Sequence, residues 1–129
     1  MSLIFLRLTA FLGFIAVSLG AFGAHGLKFL LDETQMETFR TGVLYHFIHV
    51  VALLAIGLSN KMSRRVLNIS SLFFITGIIL FSGSLYLLSC RQILGIEHWT
   101  FLGPLTPVGG LFFILGWLSL MFVSRESSV

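Results

Sequence analysis

An all-α, four-helix transmembrane bundle is the fold class this sequence predicts. Three observations predict it: four long apolar runs, charge confined to the segments between them, and a basic excess in one short connection. The chain has 129 residues, of which 57% are hydrophobic and 10% charged, with a mean hydropathy of +1.02. A soluble domain carries about 25% charged residues. A chain this poor in charge cannot cover its surface in water, so membrane lipid is its expected surroundings and first partner. The net charge of +3 does not point to nucleic acid, because the basic residues stand between apolar runs and form no patch. A single cysteine, Cys90, excludes an intramolecular disulfide and a dithiol redox pair.

The apolar runs cover residues 8–24, 43–59, 66–88 and 108–123. Crossing the hydrocarbon takes roughly 20 helical residues, with about 17 as a minimum. The runs must be helical, because backbone facing lipid has to satisfy its own hydrogen bonds. With their flanks they predict one integral membrane domain whose spans cover residues 7–25, 35–59, 64–89 and 106–124. Arg7 lies within the first run, which favours a retained span over a cleaved leader.

Boundary signals place the ends. "TQME" at 34–37 has the spacing of a capping box, with Thr34 as cap and Glu37 reaching back, so the second helix is expected to start near Thr34. "TP" at 106–107 has the form of an N-cap followed by proline at the first helical position. Ser63 is the expected cap of the third helix.

Orientation follows from the connection "NKMSRR", which carries Lys61, Arg64 and Arg65 and no acid, and is expected in the cytoplasm. Both termini then lie inside, with Arg7 and Arg125. Lys28, Arg40 and Arg91 fall outside.

On this arrangement His25, His46, His49 and His98 all fall at or near the outer half, with Tyr45, Tyr86 and Arg91. His49 lies about seven residues past the apolar entry of its helix, roughly 10 Å deep. An ionisable residue at depth is a functional hypothesis. His46 and His49 are three apart, and Tyr45 and His49 four apart, so each pair shares a helix face. Two readings follow. Neutral histidine, tyrosine and serine side chains hydrogen-bond across helices and hold a bundle together. Alternatively, His25, His46, His49 and His98 supply nitrogen ligands to a metal or haem, or line a path for a metal ion. No HExxH motif and no Cys/His cluster supports the second reading, and no cofactor is otherwise implied.

Ser82, Tyr86 and Ser89 form a polar stripe on the third helix, and Arg91 at its outer end is placed either to snorkel or to contact an anion or a lipid headgroup. Ala16, Gly20 and Ala24 recur every four residues on the first helix, joined by Gly13, while Gly109, Gly110 and Gly116 mark the fourth. Such grooves let helices approach closely, within one chain or between copies in a homo-oligomer.

Asp32, Glu33, Glu37, Glu97 and Glu126 all lie outside the apolar runs, which argues against a proton-coupled exporter of cationic drugs. Phosphate loops, nucleophile–base pairs and paired catalytic carboxylates are missing, so no catalytic residue is assigned and a non-enzymatic protein is expected, with an enzyme on a lipid-embedded substrate as the alternative.

Four ordered motifs, "GAFGAHGL" at 20–27, "FRTGVLYHFIH" at 39–49, "FSGSLYLLS" at 81–89 and "GPLTPVGGLFFILGW" at 103–117, resemble the small membrane proteins catalogued as domain of unknown function 423, the YgdD-like family. The resemblance covers nearly the whole chain. It implies a four-span inner-membrane protein with short loops and names no reaction. The positions matching its motifs are His25, Thr41, Tyr45, His49, Ser84, Tyr86, Thr106, Pro107, Gly109, Gly110 and Trp117. After "SLYLLS" the family pattern has a small or hydroxyl residue and then glycine, where this chain has Cys90 and Arg91. The expected outer polar cluster, for packing or for a small ligand, a lipid headgroup or a partner helix, is therefore His25, Thr41, Tyr45, His46, His49, Ser84, Tyr86, Arg91 and Thr106.

Overall fold

The structure, a computed structural model, describes residues 2–59 and 63–124. All regular elements among them are helical. Helix α1 is Leu3–His25, α2 is Glu33–Leu58, and α3 is Arg64–Ser89. A short α4, Arg91–Leu94, precedes α5, Leu102–Leu120. Four of these, α1, α2, α3 and α5, are long and apolar enough to cross a membrane. Residues 26–32 and 90–101 lie at one end of the bundle, here the long-loop end, and the end of α2 and the start of α3 lie at the other. Lys61, Arg125 and Glu126, which carry part of the orientation and charge reading, lie outside the described residues.

Helix α1 starts on Ser2, whose Oγ accepts from the Phe5 amide at 3.2 Å. The start of α2 corrects the expected cap. The capping box is formed by Asp32 and Gln35: Asp32 Oδ1 accepts from the Gln35 amide at 2.8 Å, and Gln35 Oε1 accepts from the Asp32 amide at 3.0 Å. The same spacing recurs two residues earlier than "TQME". Aspartate caps at least as well as threonine and places Glu33 in the first turn, where the helix dipole favours an acid. Ser63 is the N-cap residue of α3, but its side chain makes no cap bond. Its amide instead donates to the Ser124 carbonyl at 2.8 Å, tying the start of α3 to the end of α5.

The "TP" expectation is also corrected. Helix α5 begins at Leu102, so Thr106 and Pro107 stand inside it. Pro104 occupies the first turn, where a missing N–H does no harm. Pro107 lies beyond that turn and removes the donor that would have served the Gly103 carbonyl.

A feature with no sequence signal interrupts α3. Between α-helical Arg64–Gly77 and Gly83–Ser89 the chain forms a π segment, Ile78–Ser82. There the Gly83 amide donates to the Ile78 carbonyl five residues back. Gly109 of α5 packs against this segment so closely that an added Cβ would overlap the Phe81 backbone. Helices α3 and α5 share the most extensive contact in the bundle, and α1 packs mainly on α2.

The main core joins Leu12, Val50, Leu53, Phe74, Ile78 and Phe113. A smaller one, Leu27, Met36 and Phe39, lies under the long-loop end. On α1 the groove runs through Gly13, Ala16, Gly20 and Gly23; Gly13 and Gly20 meet Val50 and Val43 of α2, and an added Cβ at Gly23 would meet the Phe39 ring at 2.6 Å. Ala24, expected in that stripe, is exposed, because the turn brings Gly23 onto α2 instead. Phe11, Phe14, Ile79, Leu111 and Ile114 point outward, as a lipid-facing surface requires.

Candidate functional site

The polar residues at the centre of the bundle act as cross-links. His49 lies well inside α2, sixteen residues past its start at Glu33. It is 3% exposed. The Trp117 indole N–H donates to His49 Nε2 at 3.1 Å, joining α2 to α5. Indole nitrogen can only donate, so His49 Nε2 must be the accepting, unprotonated nitrogen. His49 Nδ1 then carries the proton and donates to the Tyr45 carbonyl at 2.7 Å. The ring also stacks on Phe113, with centroids 3.6 Å apart and planes 7° from parallel. Both nitrogens and one face are thereby committed, and no lone pair remains for a metal.

His46, also 3% exposed, joins α2 to α3: its Nδ1 and the Tyr86 hydroxyl are 3.0 Å apart. Tyr86 fits against α2 because Gly42 leaves room for its ring. Ser84 and Thr106 join α3 to α5 through hydroxyls 2.7 Å apart: Ser84 donates to the Phe81 carbonyl of its own helix, so Thr106 donates to Ser84 Oγ. Sharing bonds in this way satisfies hydroxyls that lipid could not.

Among the described residues, the side chains of the other expected site residues add no hydrogen bond between the long helices. Tyr45 is half-exposed, with its ring against Phe81 at 4.8 Å between centroids. Thr41 Oγ1 donates to the Glu37 carbonyl of its own helix. His25 ends α1 and is exposed, Arg91 is exposed at the start of α4, and His98 is exposed in the loop beside Trp99. The four histidines expected as metal ligands are therefore not one cluster. Two are buried in the bundle and two are at the surface of the long-loop end. Among the described residues no three His, Cys, Asp or Glu side chains converge as a metal site would need.

The one-sided polar distribution also needs correction. Ser70 and Ser119, near the other end, join α3 to α5 with hydroxyls 2.6 Å apart. Trp117 was singled out only as a motif position. The signal that could have assigned it a role is an indole N–H inside an apolar helix, which needs an acceptor on a neighbour. At the long-loop end Gln35 Nε2 donates to Gln92 Oε1 at 3.0 Å, tying α2 to α4. Beside that bond lies a cavity of about 270 Å³ lined by Thr34, Gln35, Thr38, Leu88, Ser89 and Arg91. It presents one guanidinium, several hydroxyls and an amide, and no carboxylate lines it.

A family described as "Protein of unknown function (DUF423)" matches residues 19–110. The chain is 38% identical over 123 residues to a UPF0382 membrane protein of Haemophilus influenzae, covering 95% of this chain and 94% of that one. It is 40% identical over 121 residues to UPF0382 membrane protein YwdK of Bacillus subtilis, covering 92% and 93%. To UPF0382 inner membrane protein YgdD of Escherichia coli it is 43% identical over 114 residues, covering 86% and 80%. No solved structure matches.

Proposed function

The chain belongs to the DUF423 family and is a multi-pass inner-membrane protein, and from that premise we propose that it is a non-enzymatic binding protein whose long-loop end receives an anionic group, that of a phospholipid headgroup. The observation that carries this reading is the Arg91 cavity. The Arg91 guanidinium, the Thr34 hydroxyl and the second amide hydrogen of Gln35 offer donors with no carboxylate in the lining, while the Thr38 and Ser89 hydroxyls already donate to the Thr34 and Tyr86 carbonyls. The His49, His46 and Ser84 networks support the same reading by serving the bundle itself, since their polar atoms are largely spent on cross-helix bonds. With the basic α2–α3 connection in the cytoplasm, the cavity opens on the outer leaflet.

Native mass spectrometry of the protein extracted with its lipids tests this. The expected result is a retained anionic phospholipid, lost in Arg91→Gln and kept in Arg40→Gln. Equal retention by both variants overturns the reading.

A further inference from the structure

Helix α3 carries five buried serines, and four of them follow one rule. Ser70, Ser71, Ser84 and Ser89 each donate to a backbone carbonyl three or four residues back. Ser82 breaks it. Its side chain is fully buried, and its Oγ has no hydrogen-bond partner. The π segment explains why, since the Ile78 carbonyl, the acceptor four residues back, is turned to the Gly83 amide. His46 Nε2 is the other buried side-chain atom left without a partner.

The two lie on apposed faces at the same depth. Gly42, His46 and Val50 share one face of α2, and Ile78, Ser82 and Leu85 share one face of α3. Gly42 meets Leu85 above them, while Val50 and Ile78 both belong to the main core below. Tyr45 against Phe81 confirms the register at the level between.

We propose that the interface of α2 and α3 binds one internal water molecule, bridging His46 Nε2 and Ser82 Oγ. Buried waters make roughly two to four hydrogen bonds to groups that have no other partner. The surrounding Leu12, Ile78 and Leu85 are apolar, and no charged side chain of the described residues is in the core, so the site takes a small neutral donor–acceptor and no ion. The water donates to one of the two side chains and accepts from the other. It thereby holds the His46 ring in a single tautomer.

Nuclear magnetic resonance of the wild-type protein in lipid nanodiscs, with 15N-labelled histidine, tests this without any variant. The expected result is one neutral tautomer for His46 and a magnetisation-transfer peak from a bound water to its ring. Ser82→Ala, a small change at a buried site, should abolish that peak or reduce it several-fold while the His49 signals stay unchanged. A wild-type His46 with no water peak, or one bonded directly to the Ser82 hydroxyl, overturns the proposal. So does a peak that survives Ser82→Ala at full intensity.

Discussion

Trp117 and His49 are joined by a bond whose direction cannot be reversed: the indole can only donate, so the imidazole must accept at Nε2 and donate from Nδ1. Replacing either partner strands the other. Trp117→Phe should destabilise the folded protein by about 1–2 kcal/mol, within the range for side-chain bonds inside membranes and for an orphaned buried acceptor. His49→Phe should cost a similar amount, and the double variant should cost less than the two together. Reversible unfolding in mixed detergent measures all three.

The cap of α2 offers a second check. Asp32→Ala should cost about 1 kcal/mol, because Asp32 Oδ1 holds the Gln35 amide. Thr34→Ala should change stability by no more than about 0.5 kcal/mol, since only the Thr34 backbone carbonyl is used, by Thr38. The reverse order of effects would restore the "TQME" box.

Close approach of α3 and α5 rests on Gly109. Gly109→Ala would drive a methyl group into the Phe81 backbone and should cost on the order of 1–3 kcal/mol. Gly103→Ala, in the same helix with nothing within 4 Å, should stay within about 0.5 kcal/mol of the parent. Thermal melts followed by circular dichroism compare the two directly.

Zinc titration of the purified protein should show no stoichiometric site that His46→Ala or His49→Ala removes. His49 has both nitrogens bonded, His46 has one bonded, and His25 and His98 sit at the surface. Calorimetry showing one tight site lost in either variant would reverse that expectation.

The spans were legible because lipid imposes one rule on every residue within them, and composition reports that rule without any knowledge of contacts. The ends were less so. "DETQ" and "TQME" carry the same spacing, and only the turn before Asp32 decides between them. "GPLTP" holds two prolines, and the real first turn belongs to Pro104. In the site, helix-face spacing put Tyr45 and His49 on one face, and their rings lie 6.3 Å apart. It could not say which neighbour each would meet, because partners on α3 and α5 depend on rotation about each helix axis. The π segment lay beyond reach for a similar reason: it is a shift in backbone bonding, and Ser82 shows it only through a missing partner. His25 and His98 share an end of the chain's topology with the buried pair but no depth, which histidine counting cannot distinguish.

Five side-chain hydrogen bonds cross between helices, Gln35–Gln92, His46–Tyr86, His49–Trp117, Ser84–Thr106 and Ser70–Ser119, and all of them run among α2, α3, α4 and α5. Among the described residues, none reaches α1, which meets α2 through glycine, alanine and valine. In hydrocarbon such a surface is no more averse to lipid tails than to its neighbour, so only fit holds it there. Lifting α1 away would break none of these five bonds and leave the other helices stitched as before. The bundle thus has one unsewn seam, and any lipid or second protein that enters sideways has a single place to do so without breaking a bond.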